Sequence, residues 1–569
     1  MSASENGGHV LLVTGGESVE HRAKAKRLTA ILEASGRFQV SAVSVTKNGA
    51  PALATLPDSG FEAVVLAVDH PGKIPAGHAK GLAQFVEQGG GLVALHRAAV
   101  SFQENAELND LLGSTVEASS ATVFEYPFNF VSSAREAGHP VAARADDFVV
   151  RDAFLQIAPP EDAQVFAVSH VAGAPVPVGY DRPRGKGRIV YLMPGGEDAA
   201  LANPYVQRVI ERAVRYVRGE RYEKTIRAGI LGYGGAFNMG KRHAEAINAQ
   251  HGMETVAVCD VDPTRAAQAK TELGDSIRTY TEMEALLADD AVDLIVAILP
   301  HNLHAQACIA ASEAGKHVVT EKPFSITLDE ADRMLAAARE KGTLVTCFHN
   351  RRWDGDFLQM LHLVRSGEIG ELFHGDAASG GWGMPRAWWR SSKAISGGML
   401  YDWGAHYVDW LLNFFPKRIE SVSGNLQKRY WHNVTNEDFA QVQIRFEDGT
   451  TATLEQGSLV AIQRAGWRLL GTLGGLTNAG PGQPVTMVQQ RDGMRRESEL
   501  KPWEGNRWAN FYQNVANHLI MGERLVVTAE QARRVIGVLE LAERSNEQGG
   551  KPLALPGEEQ YEPDYIVPW

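Results

Sequence analysis

Residues Gly397 to Asp409 read Gly-Gly-Met-Leu-Tyr-Asp-Trp-Gly-Ala-His-Tyr-Val-Asp. If this segment is helical, Asp402 and His406 stand at i and i+4 on one face. A carboxylate touching an imidazole orients it and tunes it near neutral pH, which general acid–base chemistry requires. The glycine pair ahead of them lets a backbone approach a ligand with no Cβ in the way. The same spacing also describes a surface contact or half of a metal site, so the pair alone leaves three readings open. A second chemical signal lies upstream, where the apolar strand Ile226 to Leu231 runs into Gly232-Tyr-Gly234-Gly235-Ala236-Phe237-Asn238. Glycines at a strand-to-helix turn let the backbone meet a pyrophosphate, which then sits on helix N–H groups. Phe237 takes the place of the usual third glycine, and Gly240 supplies one three residues later. Asp260 ends the next strand, 20 residues beyond Gly240. A carboxylate there accepts from both ribose hydroxyls and repels a 2′-phosphate, so NAD is favoured over NADP. The bland reading of Asp260 is a turn or cap residue before Asp262-Pro263.

These residues need a scaffold, and 569 residues are too many for one core. A composition 44% hydrophobic and 22% charged is that of a soluble globular protein. The formal charge of −12, with no basic run, argues against nucleic acid as the main partner. No apolar run is long enough to span a bilayer, and the first residues lack the basic-then-apolar pattern of a signal peptide. Cys259, Cys308 and Cys347 are far apart and lack zinc spacing, so a reducing, cytoplasmic location and no metal are expected.

Strand-like runs at Val10–Val13, Ala63–Val68, Gly91–Leu95 and Arg188–Leu192 alternate with helical patterns, ending in a helix over Tyr205–Val217. That alternation predicts a mostly parallel sheet covered on both faces. The charged stretch Arg218 to Lys224 reads as a linker. From Ile226 the alternation restarts and continues to Leu344–Phe348. Beyond about residue 370, Ala440, Val442, Ile444 and Phe446 share one strand face, and Glu447-Asp448-Gly449 turns into a partner strand at Thr450–Leu454. This is an antiparallel hairpin with one wet side. The expected domains are 1–222 (α/β), 223–349 (Rossmann dinucleotide-binding) and 350–569 (α+β with an open, mainly antiparallel sheet).

From Ile226 onward the chain resembles the Gfo/Idh/MocA oxidoreductases, through Gly232-Tyr-Gly-Gly…Gly240-x-x-His243, Ala297-Ile-Leu-Pro300-His-Asn-Leu-His304, Ala314-Gly-Lys-His-Val-Val-Thr-Glu321-Lys322-Pro323 and the segment 397–409. The resemblance implies that Glu321-Lys322-Pro323 lies beside the nicotinamide and that Lys322, Asp402 and His406 form the catalytic set. Leu299, Pro300, Asn302 and His304 would line the nicotinamide ribose side; Asn302 and His304 read equally as loop or helix-start residues. In such a site His406 takes the hydroxyl proton, Asp402 fixes its tautomer, and the Lys322 ammonium stabilises developing alkoxide charge. Arg352, Trp353, Trp388, Trp389 and Arg390 are candidates for sugar contacts, although tryptophan clusters are usually core. Homo-oligomerisation through the free face of the open sheet is also implied.

Residues 9 to about 219 resemble the ThuA-like domain (trehalose utilisation, a relative of class I glutamine amidotransferases), through Val13-Thr-Gly15…His21, Gly89-Gly-Gly-Leu-Val-Ala-Leu-His96, His139-Pro140 and Gly185-Lys-Gly187-Arg-Ile-Val-Tyr. An amidotransferase would carry its cysteine at the Leu95-His96-Arg97 corner, and this half has no cysteine, which excludes thiol-based glutamine hydrolysis. Ala153 and Gly196 stand where ThuA-like proteins carry an acid and a histidine. His21, His96, Glu125 and Asp198 are the residues from which a polar pocket could still form. The combination implies an NAD-dependent oxidoreductase for a secondary hydroxyl of a sugar, polyol or glycoside. The ThuA-like domain then handles the keto product or serves as a scaffold. A glycosidase that uses transient oxidation and elimination, and a non-catalytic NAD sensor, are the alternatives.

Overall fold

The computed structural model describes the chain except residues 1–7, 16–18, 47, 71, 103, 114, 144, 172–173, 221–223, 235–237, 504, 506, 563–564 and 567–569, and the side chains of 19–21 and 115–121. Gly235, Ala236 and Phe237 of the expected cofactor loop, Gly16, the middle of the expected linker and the His21 side chain therefore lie outside the described residues. Contacts divide the chain into two compact units, one built mainly of residues up to 223 with Met521–Arg524, the other of Lys224–Ile520 with Leu525–Pro568. No helix among the described residues is long and apolar enough to cross a membrane.

In the first unit, five parallel strands run in the order Phe38–Val45, Gly8–Gly15, Ala63–Ala67, Gly91–Leu95, Gly187–Leu192. The middle three of these are apolar because both faces are covered, the expected signature of buried parallel strands. The sheet then continues antiparallel through Ala174–Arg184, Gln164–Val171, Thr115–Phe130 and Phe148–Ala158. That antiparallel half is absent from the sequence reading. Its strands carry Pro127, Pro175, Pro177 and Pro183 and mix buried with exposed positions, so they show no clean apolar run.

The second unit opens with six parallel strands ordered Arg278–Tyr280, Met253–Cys259, Ile226–Leu231, Leu294–Ala297, His317–Thr320, Val345–Cys347. This is the 3-2-1-4-5-6 order of a dinucleotide fold, whose ligand crevice lies at the carboxyl ends of the strands where the order reverses. Local chemistry sets the helix starts. Asp262 caps Pro263–Leu273 by accepting from Thr264 N, with proline at the first helical position, where no N–H partner is needed. Thr327 and Glu330 form a capping box on Leu328–Lys341.

An eight-stranded sheet follows, ordered Ile419–Gln427, Phe439–Phe446, Thr451–Gly457, Leu372–Gly380, Trp467–Gly471, Gly474–Asn478, Val485–Arg491, Met494–Leu500. All its pairs are antiparallel except Leu372–Gly380 with Thr451–Gly457. The expected hairpin is present, with Val442 opposite Leu454 and Ile444 opposite Ala452 on the buried face. Helix Ala405–Phe414 is buried along its whole length, where Trp410 and Phe414 pack on Trp467 and Phe357. That packing holds the residues at its start in one place.

Candidate active site

The described ends of the expected cofactor loop are built as their glycines require. Gly232 has φ +98°, and a Cβ there would lie 2.1 Å from the Ile298 carbonyl oxygen, so only glycine fits. Gly240, in the first turn of helix Met239–Asn248, packs so tightly that a Cβ would lie 2.7 Å from the Tyr233 ring and 3.1 Å from Gly232 O. This close helix-to-turn packing is the role of a third glycine. Asp260 is 9% exposed; its Oδ2 accepts from Tyr233 N (2.7 Å) and its Oδ1 from Asp262 N (3.0 Å). The turn reading of Asp260 is thus realised. Two amides leave about half of a carboxylate's four acceptor sites open, and a Cβ on Gly234 would stand 3.8 Å from Oδ2. Gly232, Gly234, the helix start at Met239 and this carboxylate fit an adenosine ribose and a pyrophosphate.

Lys322 follows strand His317–Thr320, and its Nζ donates to Asp402 Oδ1 (2.6 Å) and to the Asp402 carbonyl (3.0 Å). Arg390 NH1 reaches the same Oδ1 at 3.1 Å. Burial alone would raise the Asp402 carboxyl, but Lys322 and Arg390 outweigh it and hold it at about 2. The spacing argument expected Asp402 to orient His406, and here the structure differs. A π-helical turn over Leu400–Gly404 precedes helix Ala405–Phe414, and the Asp402 carboxylate is held by the two cations rather than by the imidazole. His406 is 6% exposed, and its Nδ1 is buried with no hydrogen-bond partner. Its ring packs on Trp403 (5.7 Å) and stands edge-on to His349 (6.1 Å). Burial drives its pKa well below the usual value, and Lys322, His349 and Arg351 push the same way. His406 is therefore a neutral imidazole at neutral pH.

The glycine pair also differs from the ligand-approach reading. Gly397 and Gly398 have φ +86° and +125°, and Cβ atoms there would lie 2.7 Å from the Tyr401 ring and 2.9 Å from Glu437 Oε2. Backbone conformation and packing demand these glycines.

Several expected contact residues face inward. Glu321 accepts from the Lys322 amide (3.0 Å) and pairs with His243 Nε2 (3.0 Å), whose Nδ1 meets the Tyr512 hydroxyl at 2.5 Å. His304 is fully buried, with Nδ1 2.7 Å from Pro323 O and Nε2 3.0 Å from Leu299 O. It ties the Leu299-Pro300 turn to the turn that carries Lys322. Asn302 is exposed. Arg352 and Trp353, expected to contact sugar, are fully buried. Arg352 pairs with Asp409 through Nε (2.8 Å) and NH2 (2.5 Å) and donates to Val526 O and Gln531, so it is a core ion pair. Trp388, Trp389 and Arg390 remain partly exposed and adjoin the site: the Arg390 guanidinium lies 5.1 Å from the Trp389 ring centre, and His301 stands edge-on to Trp389 at 4.9 Å. Sequence reasoning missed Arg390 as a partner of Asp402, and His349 as a neighbour of His406. The run His349-Asn350-Arg351-Arg352 after a strand end was the available signal.

In the first unit, His96 follows strand Gly91–Leu95 at φ +51°, and its Nε2 lies 3.1 Å from Ala153 O. The buried Asp152 carboxylate accepts from the amides of Gly195 (2.8 Å), Gly196 (3.0 Å) and Glu197 (2.8 Å). Glu125 and Asp198 are exposed; Asp198 pairs with Arg27 (3.6 Å), while His96 Nε2 turns to Ala153 O.

A parallel six-stranded dinucleotide fold, with a lysine–aspartate pair and a neutral histidine beside an open-sheet domain, defines a nicotinamide-type oxidoreductase. The family described as "Oxidoreductase family, NAD-binding Rossmann fold" matches residues 226–349, and the "GFO/IDH/MocA C-terminal domain" matches 357–477. The family described as "Trehalose utilisation" (ThuA) matches residues 9–217. The chain belongs to the Gfo/Idh/MocA oxidoreductases, which act on CH–OH groups, fused to an N-terminal ThuA domain. Among relatives, the scyllo-inositol 2-dehydrogenase (NADP(+)) IolW of Bacillus subtilis (strain 168) is 26% identical over 360 residues, 59% of this chain and 98% of that protein. The oxidoreductase YdgJ of Escherichia coli (strain K12) is 34% identical over 191 residues, 33% of this chain and 54% of that protein. The structure of an NAD-binding protein from Listeria innocua superposes with a TM-score of 0.52 at 28% identity, covering 60% of this chain and all of that one.

Proposed function

We propose that the second unit oxidises a secondary hydroxyl of a polyol or sugar, with NAD as the cofactor, and that Lys322, Asp402 and His406 carry the reaction. The observation that carries this reading is the Lys322 Nζ, held 2.6 Å from Asp402 Oδ1 beside a buried, neutral His406. The fit of Gly232, Gly234 and Asp260 to an adenosine ribose and pyrophosphate supports the cofactor, and the Asp260 carboxylate, by repelling a 2′-phosphate, supports NAD. IolW is named as an NADP(+) enzyme, so the cofactor of this chain rests on its own Asp260. Similarity to a scyllo-inositol dehydrogenase supports a polyol as substrate class.

When bound, the nicotinamide supplies the hydride acceptor. The protein's task is the proton and the charge. A neutral His406 can take the hydroxyl proton. The Lys322 ammonium, aimed by Asp402, can donate to the reacting oxygen as alkoxide charge develops. Asp402 fixes the lysine rather than the histidine. Arg390, which also pairs with Asp402, lets that carboxylate stay ionised. Aromatic faces at Trp388 and Trp389 flank the same arginine and offer flat apolar contact to a sugar ring. The test is NAD-dependent oxidation of a polyol panel by the full chain and by His406→Ala. Polyol-dependent formation of reduced nicotinamide by the wild type, lost in His406→Ala with NAD binding intact, supports the reading; turnover equal in both sinks it.

A further inference from the structure

His349 follows strand Val345–Cys347, is 1% exposed, and has both ring nitrogens buried without a hydrogen-bond partner. A satisfied core histidine would show at least one protein partner, and leaving two polar atoms of one ring unpaired in the interior is unfavourable. Its ring stands edge-on to His406, centres 6.1 Å apart and planes at 76°. Burial pushes His349 down to about 4; nearby Asp409 opposes this, while Arg352 and Lys322 reinforce it. A neutral imidazole has one donor and one acceptor nitrogen, which matches a hydroxyl that also donates once and accepts. Two such imidazoles, His349 and His406, lie side by side near Lys322, and the proposed reaction uses only one of them.

We propose that His349 is a substrate-binding residue that hydrogen-bonds the hydroxyl next to the one oxidised, so that the site selects vicinal diols over isolated secondary alcohols. This rests on the reading of Lys322, Asp402 and His406 as the reacting set and deepens it. A site built to pair with a hydroxyl discriminates strongly against the analogue that lacks it, because its own polar atoms are then left unpaired.

The experiment compares the full chain, His349→Leu and His349→Gln on scyllo-inositol and on its trideoxy analogue all-cis-cyclohexane-1,3,5-triol, which has secondary hydroxyls but no vicinal pair. It measures kcat/KM with NAD, and binding of each compound by calorimetry to the NADH-loaded protein. The expected result is a loss of about 10- to 100-fold in kcat/KM and affinity for scyllo-inositol in His349→Leu, the worth of one buried hydrogen bond. The deoxy compound changes less than about threefold, and His349→Gln recovers part of the loss. Equal losses on both compounds indicate a packing role and overturn the proposal, as does no loss on either. A wild type that oxidises and binds no polyol overturns the functional reading and this inference together. An active wild type with an unaffected His349→Leu overturns the inference alone.

Discussion

Replacing Lys322 by Met removes one ammonium at the centre of the site while keeping an unbranched side chain of similar length. The Lys322 side chain is 11% exposed and Asp402 33%, so their pair is partly screened and its loss costs folding about 1 kcal/mol or less. The loss in the reaction is larger. A preorganised donor aimed at developing negative charge is worth about 10²- to 10³-fold in kcat, or about 3–4 kcal/mol. The two magnitudes separate catalysis from unfolding. The electrostatics add a second readout. Lys322 is the strongest influence after burial in holding the His406 pKa below its usual value, so removing it lets that pKa rise. Because His406 must be neutral to act as base, the acid limb of kcat/KM for oxidation then moves to higher pH. Asp402 keeps Arg390 and stays ionised at neutral pH. The assay is kcat/KM across pH for the wild type and Lys322→Met, with NAD binding and denaturant midpoint as controls. A drop of less than about threefold, a drop confined to KM, or an acid limb that moves down refutes the assignment.

Asp260→Ser removes the carboxylate that repels a 2′-phosphate, so the kcat/KM ratio for NAD over NADP is expected to fall about tenfold or more. A wild type that already prefers NADP contradicts the cofactor assignment. Acid should destabilise the second unit before most of its carboxylates titrate. His349 and His301 are held at about 4 and about 3 by burial, so the unfolded chain binds their protons first. Their stabilisation is complete above about pH 6.5 and is lost as pH falls toward the folded values, at about 1.4 kcal/mol per pH unit for each group. Glu543, raised to about 7 by burial, opposes one of them over part of that window. Denaturant midpoints should therefore fall from about pH 6.5 to 5. The fall should be shallower in His349→Leu; midpoints that rise over this range would contradict the burial argument.

The parts of this protein that could be read from the sequence are those fixed by neighbours in the chain. A strand ending in Gly232-Tyr-Gly234, a helix beginning near Gly240 and an acid at Asp260 are local patterns, and the strand–helix alternation around them implies a parallel sheet. The hairpin over Phe439–Gly457 was legible for the same reason, since its alternating faces are set by strand geometry. Asp402 was legible as a residue and not as a partner. Its contacts come from Lys322, eighty positions earlier, and from Arg390, whose approach depends on the loop before the π-helical turn. Arg352 and Trp353 show the same limit. Only the tertiary fold brings Asp409 and Gln531 around that arginine and turns an expected sugar contact into a buried ion pair. The antiparallel strands between Thr115 and Arg184 stayed hidden because half-exposed strands carrying prolines lack a strong apolar period.

In the proposed reaction a neutral His406 takes the proton of a polyol hydroxyl beside Lys322. The most direct measurement is the near-ultraviolet absorbance of reduced nicotinamide formed in a single turnover from NAD and scyllo-inositol, with the full chain and His406→Ala at matched NAD occupancy. The wild type should form reduced nicotinamide at the active-site stoichiometry. In His406→Ala the rate should be slower by about 10²- to 10⁴-fold. Equal rates in the two proteins would contradict it.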